Sequence, residues 1–152
     1  MTDPDASAYE ALAELGGDVR WAFGTGFVDA LEGVSTEVPA GIDRAHLATY
    51  CLMLGDDALV ASQRLIEWCT KAPELEEEVA LANIALDLLG QARLLYGRAG
   101  FAEDAGRDED ALAYLRDAEA FRNVTLVEQP HGDFAVAIAN LFLASTWRLA
   151  LM

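Results

Sequence analysis

Apolar residues recur at helical spacing through most of this 152-residue chain. Over residues 43 to about 71, Leu47, Cys51, Leu54, Ala58, Ala61, Leu65 and Trp68 fall on one helix face, with Asp56, Gln63 and Glu67 opposite. Asp43 suits the N-cap, since its short carboxylate can accept from the amides that open a helix. Pro73 begins a second stretch, with Glu74, Glu76, Glu77 and Glu78 where the positive end of the helix dipole favours anions. That stretch is nearly all Ala, Leu and Ile from Val79 to Leu95, and Gly100 is placed as its C-cap. A short turn separates the two helices, which predicts antiparallel packing.

Downstream, an acidic connection covers residues 103–110, and residues 111–116 read as a short helix. The turn Gln129-Pro-His-Gly132 and the cap Asp133 lead into a third long helix from Phe134. It is still periodic at Leu149-Ala-Leu-Met152, so the sequence is expected to stop inside an element and to be C-terminally truncated. Upstream, an acidic start and a short helical pattern break at Gly16-Gly17. The segment Arg20-Trp-Ala-Phe-Gly-Thr-Gly-Phe27 is expected to lay its aromatics over the body or a partner. Its Gly24-Thr-Gly26 lacks the third glycine and the preceding strand of a nucleotide loop. The expected fold class is all-α: an N-terminal extension over 1–42, then an incomplete helical domain over 43–152 with three long helices and a short one.

Charge narrows the partners. Ten Lys and Arg against 26 Asp and Glu give a net charge of −16. That field repels phosphate backbones and anionic bilayers, so neither nucleic acid nor membrane is an expected partner. The last 19 residues are long enough to cross a bilayer, but Arg148 lies inside them and no basic cluster flanks them, which favours a core helix. Cys51 and Cys69 stand 18 positions apart on one predicted helix, beyond disulfide reach. With no signal peptide in view, the expected location is the cytoplasm.

The candidate chemistry lies on the first two helices. Asn83, Asp87 and Gln91 recur every four residues, with Gly90 on the same side. With the turn set near Ala72, Asp56 and Asp87 come to nearly the same height. That is the layout of a ferritin-like di-iron half-site, a carboxylate from one helix facing Glu-x-x-His on the next. Here the second element reads Asp87-Leu-Leu-Gly90, so the imidazole is missing. Glu128-Gln-Pro-His131 mimics the motif but holds a proline, and Asp43-Arg-Ala-His46 lies in a first turn; both histidines are expected to be ordinary surface residues. No catalytic residue, metal ligand or cofactor site is expected in this chain. Spacing alone leaves two readings of the stripe open. Asp56, Gln63, Glu67 and Lys71, with Asn83, Asp87, Gln91 and Arg98, could form a solvent face that includes a Glu67–Lys71 pair. The height match and Gly90 favour instead a polar track inside a bundle.

Several blocks occur in one order: Leu54-Gly-Asp-Asp-Ala-Leu-Val, Glu67-Trp-Cys, Ala72-Pro-Glu-Leu-Glu-Glu, Ala82-Asn-Ile-Ala-Leu-Asp-Leu-Leu-Gly-Gln-Ala-Arg93 and Leu126-Val-Glu-Gln-Pro-His-Gly-Asp-Phe134. From about Leu47 onward the chain closely resembles the family of non-catalytic oxygenase subunits of bacterial phenylacetyl-CoA 1,2-epoxidases. The resemblance implies a ferritin-like bundle, with about its first half present, in which Asp56, Asp87 and Gly90 occupy the positions of lost metal ligands. It also implies a sister subunit that keeps the di-iron site, further subunits of the complex, and a reductase. That complex would epoxidise the aromatic ring with O2 in phenylacetate breakdown, and this chain would brace the catalytic subunit. Ala118-Glu119 and Ser145-Thr-Trp-Arg148 depart from the family pattern. The competing expectation is a self-standing ferritin-like metal enzyme or an acidic homo-oligomeric helical module.

Overall fold

A computed structural model describes residues 37–151, so the expectations for the segment over 1–36 lie outside the described residues. Among those described, all regular structure is helical, as the periodicity predicts. Helix α1 spans Arg44–Ile66, and the Asp43 carboxylate accepts from the His46 amide at 2.9 Å, as its N-cap position requires. It stops five residues short of the expected end. Hydrogen-bonded turns follow, with the amides of both Lys71 and Ala72 donating to the Trp68 carbonyl. Pro73 disfavours helix at the residue before it, and the early exit lets Trp68 turn toward His131 and Phe134.

Helix α2 spans Leu75–Glu103, with Glu76, Glu77 and Glu78 in its first turn. Gly100 is not its cap. The helix runs on to Asp104, which adopts the left-handed conformation at φ 56°. Gly100 is buried inside α2, where only glycine fits, since a Cβ would stand 2.2 Å from the Arg107 carbonyl oxygen. Helix α3 is short, Glu109–Tyr114, and is capped by Asp108. Two 3-10 turns, Ala118–Ala120 and Thr125–Glu128, carry the chain to α4, Phe134–Leu151, whose N-cap is Asp133.

Helices α1 and α2 form an antiparallel hairpin. One core cluster joins Cys51, Leu52, Ala58 and Leu59 to Ala92, Tyr96 and Ala99 of α2 and to Leu112 of α3. Gly55 lets the Tyr96 ring lie against α1, since a Cβ there would meet the ring at 2.8 Å. A second cluster joins Leu65, Leu81 and Ala85, with Trp68, Phe134 and Leu141 packed against it. Cys51 is buried and Cys69 half-buried, neither in a disulfide, and burial pushes the Cys51 thiol up. Cys69 lies beyond the end of α1 rather than on it.

Three bonds fix the register of the hairpin: Arg44 Nε to the Ala102 carbonyl at 3.1 Å, Ser62 Oγ to the Ala85 carbonyl at 2.7 Å, and Cys69 Sγ to the Glu78 carbonyl at 3.9 Å. This sets Asp56 level with the stretch from Gln91 to Tyr96, about one turn or more beyond Asp87. Much apolar surface stays uncovered. Leu75, Val79, Leu86 and Leu94 on α2 are exposed, as are Phe142, Leu143 and Leu149 on α4. Both helices are long and apolar enough to cross a membrane by length and composition.

Candidate functional site

Asp56 and Asp57 follow one another in α1, about 100° apart around the axis, so each carboxylate meets a different neighbour. Asp56 is 0% exposed. Its Oδ1 accepts from the Tyr96 hydroxyl at 2.7 Å and from Arg116 Nη2. Its Oδ2 accepts from the Arg122 amide at 2.8 Å and from Arg116 Nη1 at 3.2 Å. The buried Arg116 guanidinium also donates to the carbonyls of Leu112 and Ala120, and lies 4.2 Å from the Phe121 ring centroid. Asp57 Oδ1 accepts from the Val124 amide at 2.7 Å. Between them the two carboxylates fasten residues 116–124 across α1.

This pairing answers the cost of taking a charge out of water. An isolated buried carboxylate would be driven to its neutral form; here a guanidinium, a hydroxyl and an amide supply the donors that water would. Burial works against the Arg116 cation, but its bonds to Asp56 outweigh that and hold its pKa above the usual value. Burial, then the bond to Asp56 and its charge, raise the Tyr96 hydroxyl far above the ordinary phenol range. Asp57 is also pushed up by burial, which the Val124 amide and the charge of Arg148 partly offset. Arg148 reaches in from α4 and donates to the Leu54 carbonyl at 2.9 Å, and burial moves its pKa down.

The chemistry open to such a site is narrow. Tyr96 is locked as a donor to a carboxylate and is a poor acid, and both Asp56 oxygens are fully engaged. A metal ion at Asp56 would have to displace the Arg116 cation, so the donor set does not fit a metal. Among the described residues, no three His, Cys, Asp or Glu side chains converge to hold one.

Of the three positions read as lost ligands, only Asp56 is interior. Asp87 and Asn83 are exposed on the outer side of α2, Gln91 is half-buried, and Gly90 has nothing within 4 Å of a Cβ position. Within the described residues Asp56, Asp87 and Gly90 do not come together. The turn is centred later than Ala72, and α2 presents Ala85, Ala92 and Tyr96 to α1 rather than the polar stripe. The solvent-face reading does not hold at Asp56, which the 116–124 segment covers. Glu67 pairs with His131 at 2.9 Å, not with Lys71. His131 is accordingly no ordinary surface residue: it also accepts from Trp68 Nε1 at 3.2 Å, whereas His46 is 90% exposed as expected. Spacing does not single out Tyr96, Arg116 or Asp57; the one sequence signal is two consecutive Asp inside an apolar run.

Residues 34–152 match the model of the family described as phenylacetic acid catabolic protein. Over 107 residues the chain is 57% identical to a subunit of the 1,2-phenylacetyl-CoA epoxidase of Escherichia coli K12. The match takes in 70% of this chain and 42% of that relative, so the chain spans less than half of the relative's length. The chain belongs to the phenylacetic acid catabolic protein family.

Proposed function

From that membership we propose that the chain is a structural, non-catalytic subunit of a cytoplasmic multicomponent monooxygenase that epoxidises the aromatic ring of phenylacetyl-CoA. In this reading it carries no cofactor and braces a sister subunit that holds the di-iron centre, with a reductase supplying electrons. One observation carries the non-catalytic role: the interior carboxylate Asp56 is saturated by Arg116, Tyr96 and the Arg122 amide, with a fixed cation where a metal would have to sit. The Escherichia coli relative, itself a subunit of a phenylacetyl-CoA epoxidase, supports the choice of complex.

Metal analysis joined to co-purification tests this. The chain purified alone should carry no stoichiometric iron, and mixed with a catalytic oxygenase subunit it should elute with that subunit. About two irons per chain would refute the reading. The exposed apolar rows of α2 and α4 favour the competing homo-oligomeric module to one extent: both need covering. Self-association of the chain alone, with no affinity for a di-iron subunit, would decide for that module.

A further inference from the structure

We propose that Glu67, His131 and Trp68 form a proton-operated latch on the start of α4. Trp68 Nε1–H donates to His131 Nδ1 at 3.2 Å, so Nδ1 must be without a proton. His131 Nε2 stands 2.9 Å from Glu67 Oε2, a distance that calls for a proton on Nε2. Only the neutral tautomer with Nε2–H satisfies both bonds. Adding a proton at Nδ1 turns that nitrogen into a donor facing another donor, and the bond to Trp68 is lost. The bond to Glu67 survives protonation and becomes charge-assisted.

Trp68 does more than meet His131. Its ring lies edge-on to Phe134, the first residue of α4, at 5.5 Å between centroids, and it packs on the Leu65, Leu81 and Ala85 cluster. Release of the indole therefore loosens the contact by which α4 begins on the hairpin. Glu67 is bonded to the ring, Arg64 lines the same cavity as His131, and Glu128 and Asp133 flank His131 along the chain. Arg64 is engaged with the Gln129 carbonyl, Glu128 accepts from Asn123, and Asp133 caps the Val136 amide. Glu67 is the carboxylate bonded to the imidazole. Histidine is the side chain that ordinarily changes charge between about pH 5 and 8.

The test follows the Trp68 indole N–H by NMR in the full chain from about pH 8 to about pH 5, its resonance assigned by its loss in Trp68→Phe. In the parent chain it should shift, and its protection relative to the intrinsic exchange rate should drop, as the pH falls. In His131→Gln, whose amide oxygen can still accept from the indole, the shift should be lost. Glu67→Gln removes the charge that favours the imidazolium and should move the midpoint to lower pH. A resonance that is flat in the parent, or one that titrates equally in His131→Gln through general acid unfolding, overturns the latch. An unmoved midpoint in Glu67→Gln overturns the part given to that carboxylate.

Discussion

Asp56 and Asp87 are the same residue type on two paired helices, yet their surroundings are opposite. Asp56 faces inward from α1 and meets a guanidinium, a phenol and a backbone amide. Asp87 faces outward from α2 among exposed Leu86 and Ile84. The first is a charge whose removal alone strands Arg116 in the interior. The second can be desolvated only by another surface. A carboxylate's role in a helical bundle is therefore decided less by its height on the helix than by which donors reach it.

The largest effect should come from breaking the inner member. Asp56→Leu leaves the Arg116 guanidinium buried without a counter-charge, and should cost about 3–5 kcal/mol in urea unfolding. Asp56→Leu combined with Arg116→Met should recover most of that loss, since apolar replacement of a whole buried pair is often close to neutral. If Asp56→Leu alone cost under about 1 kcal/mol, the clamp would not hold the 116–124 segment and the contrast would fail.

Two glycines of α2 sharpen the same contrast. Gly100→Ala drives a methyl to 2.2 Å from the Arg107 carbonyl, so backbone must move, at a cost of about 1–3 kcal/mol. Gly90→Ala points into open space on the outer face and should raise the stability of the chain by about 0.5–1 kcal/mol through helix propensity. Thermal melts of the two variants should thus move in opposite directions.

The inner cluster also sets a pH signature. The folded state raises Tyr96 above its ordinary value of 10.0, so above that pH the folded chain keeps a proton that the unfolded chain releases. This contribution is fully present below about pH 10 and is lost as the pH climbs beyond it. Urea midpoints should fall with pH above about 10 in the parent chain and fall less steeply in Tyr96→Phe.

How much of this is legible in the sequence follows from how local each signal is. Asp43 and Asp133 announce their helices because a cap acts within three residues. Helix ends are harder. Gly100 reads as punctuation, but a carbonyl from Arg107 is what requires it. The exit from α1 at Ile66 serves the contacts of Trp68 with His131 and Phe134, more than 60 positions away. Asp56 shows the limit of a helical wheel, which gives an angle and not what covers it. Its cover arrives 60 residues later, on a stretch whose 3-10 turns carry no helical period to read. Centring the hairpin turn near Ala72 then pairs Asp56 with the wrong stretch of α2.

The smallest effect should fall on the outer member. Asp87→Asn keeps size and polarity on an exposed side, and the folding stability of the isolated chain should change by no more than about 0.5 kcal/mol. Its value lies in where the experiment is done. If the outer face of α2 meets a sister subunit with a cation set against Asp87, the same substitution that leaves the lone chain unmoved should weaken the complex, because it leaves that cation desolvated and unpaired. Leu86→Glu, on the neighbouring exposed position, should weaken it more. Equal losses for Asp87→Asn in the lone chain and in the complex would place Asp87 in the fold itself and erase the distinction from Asp56. A loss seen only in the complex would show that the hairpin divides its two carboxylate environments between folding on one side and assembly on the other.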